Sequence, residues 1–228
     1  MPGPWSEAAK ALFRHHGVAF LPVRQDGGRD NPELVAWTGH RNAPIAMYND
    51  EPPRVRWLEI LDLAERLGDG ESLYPSEREN RMFMVGLTDE IAGERGFAWN
   101  ARLLMLDEIY QAVGEKAHRN PMLKEYRYSP ESVAGAVKAL NEFLGFMADH
   151  VSSLTSRYLV GDQLTAADIY WAYFSNLVAP QSEDDNPMPG FLRKNYELPA
   201  TLLEPIDGCL VDHRDWIFHH HLQLPVSF

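Results

Sequence analysis

The stretch from Tyr158 to Leu177, YLVGDQLTAADIYWAYFSNL, constrains the fold more than any other part of the chain. It predicts a helix that starts at Thr165. The Thr165 hydroxyl can accept from the free N–H groups of the first turn, and Asp168, three residues on, can accept the Thr165 N–H in return. A carboxylate there also sits at the positive end of the helix dipole. Leu164 and Ile169 occupy the two positions of a hydrophobic staple, and Gly161 permits a tight approach just upstream. Many helices begin this way, so Thr165 and Asp168 are structural residues on this reading.

The chain before and after this helix divides in two. At 228 residues it can form one large domain or two small ones. Residues 5–16 (WSEAAKALFRHH) have the apolar spacing of an amphipathic helix that Gly17 ends. VAFLPV (18–23) predicts a strand, which Pro22 moves toward a sheet edge. QDGGRDNP (25–32) is a loop, PELVAW a short helix, and residues 43–48 a second strand. RVRWLEILDLAERL (54–67) is a strong helix, with Trp57, Ile60, Leu61, Ala64 and Leu67 on one side. GDGESLYPSE (68–77) is the best linker. Everything after it favours helices. Phe83, Leu87 and Ile91 mark one, Trp99 to Val113 a second, and residues 129–156, opened by Ser129 and Pro130, a third and long one. QSEDDNPMPG (181–190) is an acidic loop, and residues 207–222 form the last helix.

Composition narrows the function classes. Hydrophobic residues at 45% and charged residues at 24% are globular proportions. No apolar run approaches the ~20 residues of a membrane span, and MPGPWSEAAK lacks the marks of a signal peptide. One cysteine, Cys209, gives no disulfide framework, which suits a cytoplasmic setting. The formal charge of −12, from 33 acidic and 21 basic residues, argues against a nucleic-acid partner. No zinc spacing, phosphate-binding loop or dinucleotide fingerprint is present. His219, His220 and His221 are consecutive on a helix, about 100° apart around its axis, so they do not converge on one metal ion. Trp99, Tyr110, Tyr126, Arg127 and Trp171 are candidates to line a small-molecule pocket, with core packing as the alternative for the aromatic ones.

The YLVGDQLTAADI string, behind a long helix and ahead of an aromatic one, resembles the helical domain of the glutathione S-transferases, in which these residues build the core. The resemblance extends over nearly the whole chain. It implies an α/β plus all-α protein: a thioredoxin-like domain over residues 1–70, then an all-helical domain over residues 77–228. GPWSEAAKALFRHHGVAFLPV is similar to that family's first helix and second strand, and NPELVAWTGHRNAPIAM to the segment reaching its cis-proline. That proline would be Pro44, and the Ala43 backbone would pair with glutathione, the co-substrate. The implied activity is conjugation of a small electrophile by a homodimeric transferase. The alternative is a non-catalytic member that carries a ligand or contacts another protein.

Three departures bear on that expectation. The family begins with a central strand, whereas Met1 lies only a few residues before Trp5, so a shortened start or a substitute strand is expected. The family's catalytic Ser, Cys or Tyr position falls on Gly3, leaving Ser6 as the nearest hydroxyl, either supporting a thiolate or capping the helix. The pair that holds the glutamyl end of glutathione falls on Arg56 and Trp57. An arginine there can pair with a carboxylate but cannot accept an ammonium group.

Overall fold

The computed structural model describes residues 3–226. Ten α-helices make up almost all of the regular structure. They are α1 (Pro4–His15), α2 (Pro32–Thr38), α3 (Trp57–Leu67), α4 (Arg78–Ala92), α5 (Phe97–Val113), α6 (Pro121–Glu125), α7 (Pro130–Ser153), α8 (Ala166–Phe174), α9 (Gly190–Leu202) and α10 (Gly208–His221). Short 3₁₀ turns lead from α5 to α6 and extend α8.

The centre of the molecule is α8. All nine of its residues are buried, and α1, α4 and α10 pack around it, while α5 and α7 pair beside them. Trp171 is fully enclosed, 5.6 Å from Phe97 and 6.4 Å from Phe143 between ring centres. Tyr170 meets Trp57 of α3 edge to face, and Phe174 meets Trp5 of α1 in the same way. Burying each such side chain is worth about 1.5–3 kcal/mol, so this one helix anchors both halves of the chain. Ala8 and Leu12 of α1, and Ile60 and Leu61 of α3, belong to the same contiguous core as the later helices.

The start of α8 follows the sequence in detail. Asp168 is fully buried, and its Oδ2 accepts from the Thr165 N–H and from the Thr165 hydroxyl, both at 2.8 Å. Its Oδ1 accepts from the Leu159 N–H at 2.7 Å, which pins the preceding turn. The Ala166 N–H reaches the Leu73 carbonyl at 3.2 Å, tying the linker to this same helix start. Ser129 opens α7 by accepting from the Ser132 N–H at 3.1 Å, with Pro130 in the first helical position.

The two predicted strands are a correction. Residues 18–23 form no ladder and are largely exposed. Of residues 43–48 only Ala46 pairs, in a single antiparallel bridge to Arg54. A strand is stabilised by its neighbours, and apolar content alone does not supply one; here Pro22 also removes a donor from the edge. Among the described residues strand pairing is limited to that bridge, so the sheet expected of a thioredoxin-like domain is not seen.

Helix α9 was not expected. Gly190 at its start closes the stretch assigned to the acidic loop, and Leu192, Tyr196 and Pro199 are buried and hold the helix in place. Among the described residues no helix is long and apolar enough to cross a membrane.

Candidate functional site

Helix α1 begins at Pro4, whose fixed backbone angle suits the first helical position, behind an extended Gly3 that supplies no side-chain cap. The Ser6 and Glu7 N–H groups both turn back to the Gly3 carbonyl, at 2.9 and 3.1 Å. Ser6 is half-buried, and its hydroxyl makes no hydrogen bond among the described residues.

The group facing this helix start is Arg102, on α5. Its Nη2 lies 3.9 Å from where a β-carbon at position 3 would stand. The guanidinium carbon is 5.8 Å from the ring centres of both Trp5 and Tyr196. Nη1 contacts the Met105 sulfur at 3.4 Å, and the buried Nε has no hydrogen-bond partner. No carboxylate pairs with Arg102 among the described residues. Burial works against its charge, but Tyr196 and Tyr126 beside it outweigh that, so it remains a cation. Burial likewise raises the Tyr126 pKa despite the opposing pull of Arg102, which keeps Tyr126 a neutral phenol. Trp99 completes the wall, with its ring 4.5 Å from that of Tyr126. A guanidinium and the positive end of a helix dipole therefore share one aromatic-walled corner, where the first-turn acid Glu7 is taken up by Lys10 at 2.6 Å and does not pair with Arg102.

The Ala43–Pro44 peptide bond is cis, as the family resemblance implies. Ala43 is exposed, and its N–H and C=O take part in no backbone hydrogen bond among the described residues. Two residues earlier Arg41 ties this loop to α6, donating from Nε to Glu125 Oε1 at 2.8 Å. Glu125 directly precedes Tyr126, so the cis-proline loop is held to the segment that walls the Arg102 corner.

The remaining candidates scatter. Arg56 is exposed and has no ion-pair partner, while its N–H is taken by Glu59 Oε2 at 3.1 Å. The Trp57 indole donates to Asp89 Oδ1 at 2.9 Å. Trp171 lies in the core, donating to the Leu210 carbonyl at 3.4 Å. Tyr110 belongs to a separate small cluster and donates to Glu115 at 2.9 Å. Of the pocket candidates, Tyr126 stands beside Arg102 and Trp99 packs against Tyr126, while Arg127 lies 3.8 Å from Glu94. The three consecutive histidines diverge: His219 is exposed, His220 Nδ1 bonds the Trp216 carbonyl, and His221 Nε2 lies 3.2 Å from the Tyr158 hydroxyl. Among the described residues no three His, Cys, Asp or Glu side chains are placed to hold a metal.

Sequence reasoning missed Arg102 and Tyr196. A signal for Arg102 was present, since it stands as the one charge in the apolar run Ala101 to Leu106. Tyr196 had none, because the helix that carries it was not expected.

The architecture is that of the glutathione S-transferases, as comparison with solved structures shows. A glutathione S-transferase domain-containing protein from Marinobacter aquaeolei VT8 superposes with a TM-score of 0.64 at 16% identity, over 95% of this chain and 94% of that one. The beta-etherase LigF from Sphingobium sp. strain SYK-6 gives 0.65 at 16% identity, over 95% and 92%. A theta class glutathione S-transferase from Xanthomonas axonopodis pv. citri, solved with glutathione bound, gives 0.60 at 16% identity, over 96% and 89%. No protein-family model and no curated protein matches the sequence.

Proposed function

We propose that the chain is a glutathione transferase-like enzyme in which Arg102 supplies the thiolate-stabilising group that position 3 lacks. The observation that carries this reading is the unpaired guanidinium at the start of α1. On this reading the first seventy residues serve as a thioredoxin-like unit. The Ala43 backbone pairs with the cysteinyl part of glutathione, and the thiolate lies between the α1 N-terminus and Arg102. A nearby cation and a helix N-terminus both lower a thiol pKa, because they stabilise the charged form.

The thiolate then attacks an electrophilic carbon. A carbon–sulfur bond forms, the leaving group departs with its bonding pair, and the thiol proton has passed to solvent. Trp99 and Tyr126 give the electrophile an aromatic wall. Arg56, exposed and unpaired, holds a carboxylate of the tripeptide. Ser6, whose hydroxyl makes no hydrogen bond among the described residues, has no part in holding the thiolate. Retention on immobilised glutathione and a rise in melting temperature with millimolar glutathione are the expected results. Neither retention nor a shift would overturn the reading and leave a non-catalytic binding module.

A further inference from the structure

A second cavity lies away from the α1 corner, between the C-terminal end of α7, the turn after it and α10. It is a cleft of about 470 Å³, within the range that takes a small ligand. Val151, Leu154 and Cys209 form its apolar wall, and Trp216 an aromatic one.

Of two polar side chains at this cleft, His213 is enclosed in the wall and Arg157 is exposed and unpaired. His213 is 7% exposed, and neither ring nitrogen makes a hydrogen bond. Its Nε2 stands 3.3 Å from Asp168 Oδ1 without hydrogen-bond geometry. Both ring nitrogens are closed off from solvent and Nε2 faces Asp168 in the core, so this imidazole builds the wall and offers the cleft no donor. Arg157, on the rim, has no ion pair. Its one contact among the described residues is with Trp216, 6.0 Å from guanidinium carbon to ring centre. Asp212 is exposed on the same rim and is not paired with it.

We propose that this cleft is a second small-molecule site for a flat aromatic carboxylate, whose acid group pairs with Arg157 and whose ring lies against Val151, Leu154 and Trp216. A planar carboxylate matches the fork of a guanidinium, and an aromatic ring suits a wall of two aliphatic residues and one indole.

Cys209 provides the test, because it lines the cleft and is the chain's only cysteine. Its alkylation by iodoacetamide, a neutral reagent, is followed at alkaline pH with and without 2-naphthoate. Burial pushes this thiol's pKa up, so the reaction is slow enough to follow. The expected result is a several-fold slowing at saturating 2-naphthoate. The exposed substitution Arg157→Ala should weaken the apparent Kd about tenfold or more, and 2-naphthylamine should protect poorly. An unchanged rate, or equal protection in Arg157→Ala or by 2-naphthylamine, would overturn the proposal. Glutathione is not used, so the result is independent of whether the α1 corner binds it.

Discussion

The starts of α1 and α8 show two ways of treating the positive end of a helix. At α8 a buried carboxylate, Asp168, accepts from Thr165 and Leu159 and closes the end within the protein. At α1 the cap is a glycine, and a guanidinium is set against it without a carboxylate partner, the first-turn Glu7 being paired to Lys10. The first end is complete without a ligand and serves the core. The second is electrostatically incomplete, which is the condition for binding an anion.

This contrast predicts opposite mutational behaviour. The largest effect belongs to Asp168→Ala, which leaves two buried N–H groups without an acceptor and should lower stability by roughly 2–5 kcal/mol, measured by chemical denaturation. Wild-type stability would show that α8 is not closed by this carboxylate. Arg102→Met comes next, and the split between its two readouts sharpens the comparison. With a reactive aryl halide, kcat/KM should fall about 100-fold, the scale of losing one charge-stabilising donor. The melting temperature should hold or rise, since an unpaired buried charge leaves a core that methionine can fill. A fall in stability with unchanged turnover would make Arg102 a structural residue.

A smaller effect concerns the other end of α1. His16 is 2% exposed, and burial lowers its pKa, against the pull of Glu65 3.3 Å away. A histidine whose folded pKa is depressed binds more protons when unfolded. Its stabilising contribution is therefore complete above the ordinary histidine pKa and is lost as pH falls through the folded value. The melting temperature should drop on acidification from neutral pH, and His16→Gln should flatten that slope. An unaltered pH profile in the variant would remove His16 from the account. The smallest effects sit at the start of α1 itself. Ser6→Ala should leave turnover within about twofold, as its hydroxyl engages nothing. Gly3→Ser, with room for a β-carbon, should stabilise by a few tenths of a kcal/mol, about the difference between these caps.

The same contrast separates what sequence reveals from what it hides. The closing of α8 is local, since donor and acceptor stand three residues apart, and so it is legible from TAAD alone. The long helix from Pro130 likewise rests on a short segment, whereas the cis bond before Pro44 was expected only from the family resemblance. The strands at 18–23 and 43–48 were misread because a strand depends on partners that no local pattern supplies. The corner at α1 is non-local in the same sense. Arg102, Tyr126 and Tyr196 come from α5, the turn after α6, and α9, and only packing brings them to Gly3. Arg102 could be flagged as a charge on an apolar helix face, but its partner could not.

The most direct test is to titrate protein-bound glutathione by the ultraviolet absorbance of its thiolate, in the wild type and in Arg102→Met. An incomplete positive corner should make the bound thiol ionise below the ordinary thiol pKa of about 8.5, and that depression should largely vanish in the variant. A bound thiol that titrates like free glutathione, or identically in both proteins, would contradict the assignment of Arg102.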